Sequence, residues 1–230
     1  MGRTARDADA ADVLLAGASG LIGRALLDVL LAPGRNDRVA VLARRPLPGD
    51  RARDPRLSVR VGNVATLAGR ASGVRDAYIA LGTTIKVAGS EAAFRAVDFD
   101  LVVAVARAAR SAGARRLAVV SALGADARSR VFYNRVKGEA EDALATLGYE
   151  TLVVARPSLL LGDREALGQP TRSGEVLAAR LLGPMASWVP AAIRPVEAEV
   201  VARAMVAALE QATPGTRVLS SAELQRLGRG

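Results

Sequence analysis

Neither cysteine nor histidine occurs anywhere in the 230 residues. That removes disulfides, thiolate nucleophiles, imidazole bases and the common zinc ligands in one step. Aromatic side chains are nearly as scarce: three phenylalanines, three tyrosines and one tryptophan. A nucleic-acid face that stacks bases needs more of them. The net charge of +9, carried by arginines scattered along the chain, therefore reads as a solvated basic surface. No apolar run approaches the roughly 20 residues that span a bilayer. Residues 1–10 are polar and charged, without the apolar stretch of a secretory signal, and read as a disordered tail. These absences leave a cytoplasmic enzyme as the expectation, with no nucleic acid, membrane or metal partner.

Lysine is the last shortage. Only Lys86 and Lys137 occur, against thirty arginines. A chain that meets its need for positive charge with guanidinium groups keeps a compact ammonium at two places, which marks both for attention.

Half of the residues are hydrophobic, and they come in short runs that alternate with helical spacing. Strands are expected over 13–16, 39–42, 57–61, 78–81, 117–120 and 151–155. Helices are expected over 21–30, 91–112, 137–147, 175–182 and 196–210, followed by a small strand and helix. Alternation of this kind builds βαβ units around a parallel sheet, so the fold class is α/β, a doubly wound Rossmann-type sheet. Residues 11–230 read as one domain, with a core over 11–160 and a small substrate-side lobe over 161–230.

Between the first strand and the first helix stands Gly17-Ala18-Ser19-Gly20-Leu21-Ile22-Gly23. Glycines there permit a tight turn and close approach of the backbone to a pyrophosphate, whose charge the helix N-terminus attracts. The spacing is GxxGxxG, and its place after an apolar strand carries more weight than the glycines themselves. Strand two ends in Ala43-Arg44-Arg45, where an NAD site would put an acidic residue for the ribose hydroxyls. Guanidinium groups suit a 2′-phosphate, so NADP(H) is expected over NAD(H), although two surface arginines would look the same.

Tyr133 and Lys137 stand four residues apart at the start of a helix and share a face. With three tyrosines and two lysines in the chain, random placement gives such a pair in about 3% of cases. An ammonium beside a phenol favours phenolate and makes tyrosine a usable acid/base. Ser121, at the end of the fifth strand, could hold a substrate carbonyl oxygen, or could simply end the strand.

Taken together, these residues resemble the short-chain dehydrogenase/reductase superfamily in its atypical and extended branch. The nearest likeness is to the Tat-interacting-protein-like oxidoreductases and their bacterial relatives. Gly17-Ala18-Ser19-Gly20, Arg44-Arg45, Leu81-Gly82-Thr83-Thr84, Ser121-Ala122-Leu123-Gly124-Ala125, Tyr133 with Lys137-Gly138-Glu139, and Arg156-Pro157-Ser158-Leu159-Leu160 fall in that family's order over about residues 11 to 210. The resemblance implies Tyr133 as acid/base, Lys137 on the nicotinamide ribose and Ser121 orienting substrate. It puts Ser19, Gly20, Leu21 and Ile22 at the pyrophosphate, Leu81, Gly82 and Thr83 along the cofactor, and Leu160 near the nicotinamide. Asn63 takes the place of an aspartate near the adenine, and Arg172 would reach a phosphate. The implied activity is hydride transfer to or from a small carbonyl, alcohol or quinone. Two alternatives stay open: an NADP(H)-binding regulatory module with a protein partner, and a nucleotide-sugar epimerase, for which the lobe looks small. A homodimer is also open.

Overall fold

The structure is a computed structural model that describes residues 10–47, 54–161, 194–211 and 213–230. Seven strands form one sheet in the order β3-β2-β1-β4-β5-β6-β9, with every neighbour parallel. They are β1 (Val13–Ala16), β2 (Val39–Ala43), β3 (Leu57–Val61), β4 (Asp76–Ile79), β5 (Arg116–Val120), β6 (Thr151–Ala155) and β9 (Gly215–Leu219). The central strands are buried along their whole length, VLLA in β1 and TLVVA in β6, because helices cover both faces of the sheet. The chain starts in the middle at β1, runs outward to β3, then crosses back to β4. That reversal opens a crevice beyond the carboxyl ends of β1 and β4, the usual ligand position in an open parallel sheet.

Two apolar layers fill the faces. One packs α1 (Leu21–Leu30), α7 (Ala198–Glu210) and α8 (Ser221–Arg229) against residues such as Leu15, Val41 and Tyr78. The other packs α2 (Val64–Gly69), α5 (Val102–Ser111) and Leu144 of α6 (Phe132–Ala145) against Leu14, Ile79 and Leu117. A short parallel pair, β7 (Leu160–Leu161) with β8 (Val196–Glu197), lies apart from the main sheet. The chain after residue 194 returns to the sheet rather than forming a lobe of its own: α7 is buried and β9 pairs with β6. The helix expected over 175–182 falls outside the described residues.

Three local differences from the sequence reading have physical causes. Strand β4 starts at Asp76, two residues early, because its buried carboxylate is met by Arg116 at 2.5 Å and Arg75 at 2.9 Å. Two short helices, α2 and α3 (Ile85–Ala88), start at side-chain caps, with Asn63 accepting from the Thr66 amide and Thr84 from the Val87 amide. The helix expected over 91–112 is interrupted: α4 (Glu91–Arg95) and α5 flank a π-helical turn at Ala96–Leu101. Such turns insert one residue into the ladder and re-aim side chains.

Candidate nucleotide-binding and catalytic site

The glycine turn has the dimensions of a cradle. Gly17 has φ +96°, and a Cβ on it would lie 2.5 Å from the Ala80 carbonyl oxygen, so no side chain fits between β1 and β4 here. A Cβ on Gly23 would lie 1.9 Å from the Gly17 carbonyl oxygen, so this glycine lets α1 pack onto the turn. Gly20 is different. It is the N-cap of α1 at an ordinary φ of −82°, and a Cβ there would meet only Gly17 and Ala80 oxygens, at 3.4 and 3.9 Å. No side chain caps α1 and its first turn holds no acidic residue. The positive helix end is therefore left for an anion, and the residues present fit a dinucleotide pyrophosphate.

Arg44 and Arg45 are exposed directly beyond β2, on the same edge of the sheet. Asn63 follows β3, and its side chain is engaged as the cap of α2. Leu81, Gly82 and Thr83 continue from β4 along the crevice; Leu81 is half-buried and Gly82 exposed. Leu160 sits in β7, half-buried against the α1–α7 layer. Arg172 lies outside the described residues, as do Pro184, Met185, Trp188 and Val189 of the expected lobe wall.

Tyr133 and Lys137 lie on one face of α6, as their spacing requires. The Tyr133 ring packs against Phe94, with ring centroids 5.3 Å apart, and Phe132 makes an edge contact with the same ring at 5.9 Å. Lys137 is buried, 5% exposed, and its Nζ lies 2.7 Å from Oδ1 of Asp98 in the π turn. The other Asp98 oxygen accepts the Thr83 backbone N–H at 2.8 Å. Asp98 thus connects the cofactor-side turn with the lysine. Sequence reading missed it, because one aspartate in a helix shared with Asp100 carries no mark of burial.

Ser121 does not present its proton to the crevice. Its hydroxyl donates inward to Glu141, which also holds Arg156 with Nη2 2.5 Å from Oε2. The carboxylate raises the Arg156 pKa further. A three-residue polar cluster therefore closes the ends of β5 and β6 against α6. Between it and the Asp98–Lys137 pair lies a cavity of about 10 Å³, room for about one water. Gly138 lets α6 approach, since a Cβ there would lie 2.1 Å from the Ala127 nitrogen.

Among the described residues no group of acidic side chains could hold a metal ion, and no helix is long and apolar enough to cross a membrane.

With this geometry in hand, the likenesses to known proteins are informative. The model of a family described as NAD(P)H-binding matches residues 17–179. Protein fmp-52, mitochondrial, of Neurospora crassa is 32% identical over 231 residues, covering 94% of each chain. Protein FMP52, mitochondrial, of Eremothecium gossypii is 37% identical over 154 residues, 67% of this chain and 68% of its own. Among solved structures, MoeE5 in complex with UDP-glucuronic acid and NAD superposes with a TM-score of 0.68 at 21% identity, covering 90% of this chain and 75% of the other. Thermotoga maritima UDP-glucose 4-epimerase with UDP-glucose gives 0.65 at 14%, covering 94% and 81%. At such identities the structures establish the Rossmann-type fold alone. The relatives correct one expectation. They are mitochondrial by name, which overturns the cytoplasmic assignment drawn from the absence of a signal sequence and of cysteine.

Proposed function

The chain belongs to the NAD(P)H-binding family, and from that premise we propose that it is an NADP(H)-dependent oxidoreductase acting on a small carbonyl compound or quinone. The observation that carries this reading is Lys137 joined through Asp98 to the Gly82–Thr83 turn, with Tyr133 one helical turn earlier on the same face of α6. A cofactor-binding module without chemistry has no use for a phenol held there.

The cofactor, when bound, supplies the hydride. The uncapped amides of α1 hold its pyrophosphate, and Arg44 with Arg45 attract a 2′-phosphate by charge-assisted hydrogen bonds. Lys137 donates toward the nicotinamide ribose. The Tyr133 hydroxyl holds the substrate oxygen and gives it a proton as the carbon is reduced, and the reverse direction returns that proton to the phenol. Ser121 keeps its hydroxyl on Glu141 and acts as a wall of the site, so the phenol is the group that places the substrate oxygen. The apolar ring of Phe94 supports the phenol from behind and limits its rotation.

Tyr133→Phe tests this. NADPH oxidation against a panel of carbonyls and quinones falls by about 10²-fold or more, while NADPH binding is kept. An unchanged rate refutes the assignment. A wild-type protein that binds NADPH and turns over none of the panel favours the regulatory module instead.

A further inference from the structure

Beyond β6 the chain runs as a strap, Pro157 to Leu161, that is fastened on both sides. On one side the Leu123 amide, in the loop between β5 and α6, donates to the Pro157 carbonyl at 3.0 Å. On the other, the Val196 amide donates to the Leu159 carbonyl at 2.9 Å, and β7 pairs with β8. Ser158 adds a third tie. Its hydroxyl donates to the Arg194 carbonyl at 2.5 Å and accepts from the Ser221 hydroxyl at 2.9 Å. Gln225, one turn further along α8, reaches the same Arg194 oxygen with its amide at 3.4 Å.

Ser221 and Gln225 are 0% and 5% exposed, in the helix that also buries Leu224. Apolar side chains there would pack α8 without desolvating a hydroxyl and an amide. Nor does α8 need them for its seat: a Cβ on Gly228 would lie 2.0 Å from the Val200 carbonyl oxygen, so α8 meets α7 at backbone distance. What the two polar groups hold is the strap and its Arg194 anchor. The strap also has a defined place in the crevice. The α1 cradle stands at the end of β1, and Arg44 with Arg45 lie on the β2–β3 side. The other half of a dinucleotide therefore runs over β4, β5 and β6, where Leu160 packs against the layer that holds α1.

We propose that Ser221 and Gln225 are positioning residues: through Ser158 and Arg194 they hold Leu160 as the wall on which a nicotinamide ring rests, which makes α8 part of the cofactor site. This rests on reading the crevice as a dinucleotide site and requires no turnover. Calorimetry on the full chain compares NADPH with 2′-phospho-ADP-ribose, the same molecule without its nicotinamide. Wild type binds NADPH the more tightly. Ser221→Ala and Gln225→Leu each weaken NADPH by about fivefold, as for one lost neutral hydrogen bond, and leave 2′-phospho-ADP-ribose within about twofold of wild type. Leu160→Ala has the same selective effect. On that background Ser221→Ala adds nothing, a non-additivity that a general loosening of the fold does not produce. Should Ser221→Ala not fold, Ser158→Ala removes the same hydroxyl tie from the half-buried strap and carries the same expectations. Equal losses for the two ligands, no loss for either, additive effects with Leu160→Ala, or equal wild-type affinity for both ligands overturn the proposal. These results leave the pyrophosphate cradle standing, whereas a wild type that binds neither ligand removes the cofactor reading and this proposal with it. Turnover is decided separately by Tyr133→Phe.

Discussion

Replacing Gly20 by alanine separates what the glycine turn does for the fold from what it does for a ligand. The added methyl meets no protein atom closer than 3.4 Å, and φ of −82° is ordinary for alanine. The cost to the empty protein is the loss of a favoured N-cap, about 0.5 kcal/mol. Gly23→Ala is the contrast. Its methyl would sit 1.9 Å from a backbone oxygen where real contacts stay beyond 3.0 Å, so α1 must withdraw by roughly 1 Å or the turn must open. Overpacking against backbone costs about 1–3 kcal/mol before any ligand is present. The Gly20 methyl occupies the space that a pyrophosphate needs against the helix end, so NADPH affinity falls at least tenfold, about 1.4 kcal/mol. Urea melts of the empty proteins and NADPH titration followed by nicotinamide fluorescence give both quantities. The expected pattern is Gly20→Ala stable and weak-binding, and Gly23→Ala destabilised and weak-binding. If Gly20→Ala binds NADPH as wild type does, the pyrophosphate does not lie on this helix end and the cradle assignment is wrong.

Arg44→Ala is expected to weaken NADPH by tenfold or more and NADH by little, since a lost charge-assisted contact to a 2′-phosphate is worth about 1.5–3 kcal/mol; equal losses for the two cofactors refute the 2′-phosphate role. Asp76→Asn strands the Arg116 guanidinium, whose Nε and Nη2 lie 2.5 and 2.7 Å from the carboxylate oxygens, and lowers stability by about 3 kcal/mol in urea melts, with a loss below 1 kcal/mol counting against it. Glu223→Ala opens the capping box of α8 and costs about 0.5–1 kcal/mol at pH 7. The Ser220 backbone N–H holds the Glu223 carboxyl below its ordinary value of 4.5. A depressed carboxylate contributes stability above the unfolded-chain value and loses it as pH falls through the folded one, so the gap between variant and wild type closes in acid. A gap constant from pH 7 to pH 3 contradicts the charge-based cap.

Features legible in the sequence depend on neighbours along the chain. The buried strands are continuous apolar runs, and the Gly17–Gly23 turn announces itself by lying between one of them and an amphipathic helix. The spacing of Tyr133 and Lys137 puts them on one face whatever else packs nearby. Arg44 and Arg45 follow β2 by position alone. Where reading by spacing fails, the deciding contact is remote in sequence. Asp76 reads as a loop residue until Arg116, forty positions away, is brought to it. Ser121 was correctly placed at a strand end, but its hydroxyl is claimed by Glu141, twenty residues on, and no local pattern marks that partner.

The π turn is the sharpest case. An inserted residue leaves the apolar spacing of 91–112 looking like one unbroken helix, since Val97, Leu101, Val102 and Val105 continue to recur at helical intervals. Asp98 and Asp100 then look equivalent, two carboxylates on a solvated stretch. Burying a carboxylate without a partner is costly, so an aspartate 1% exposed requires a cation within reach. In a chain with thirty arginines the partner turns out to be one of two lysines. An arginine at 137 would present a planar fork in place of the single ammonium that meets Oδ1 behind Gly82. Lys137 meets a carboxylate that composition could not reveal, since nothing local to either residue marks the pairing.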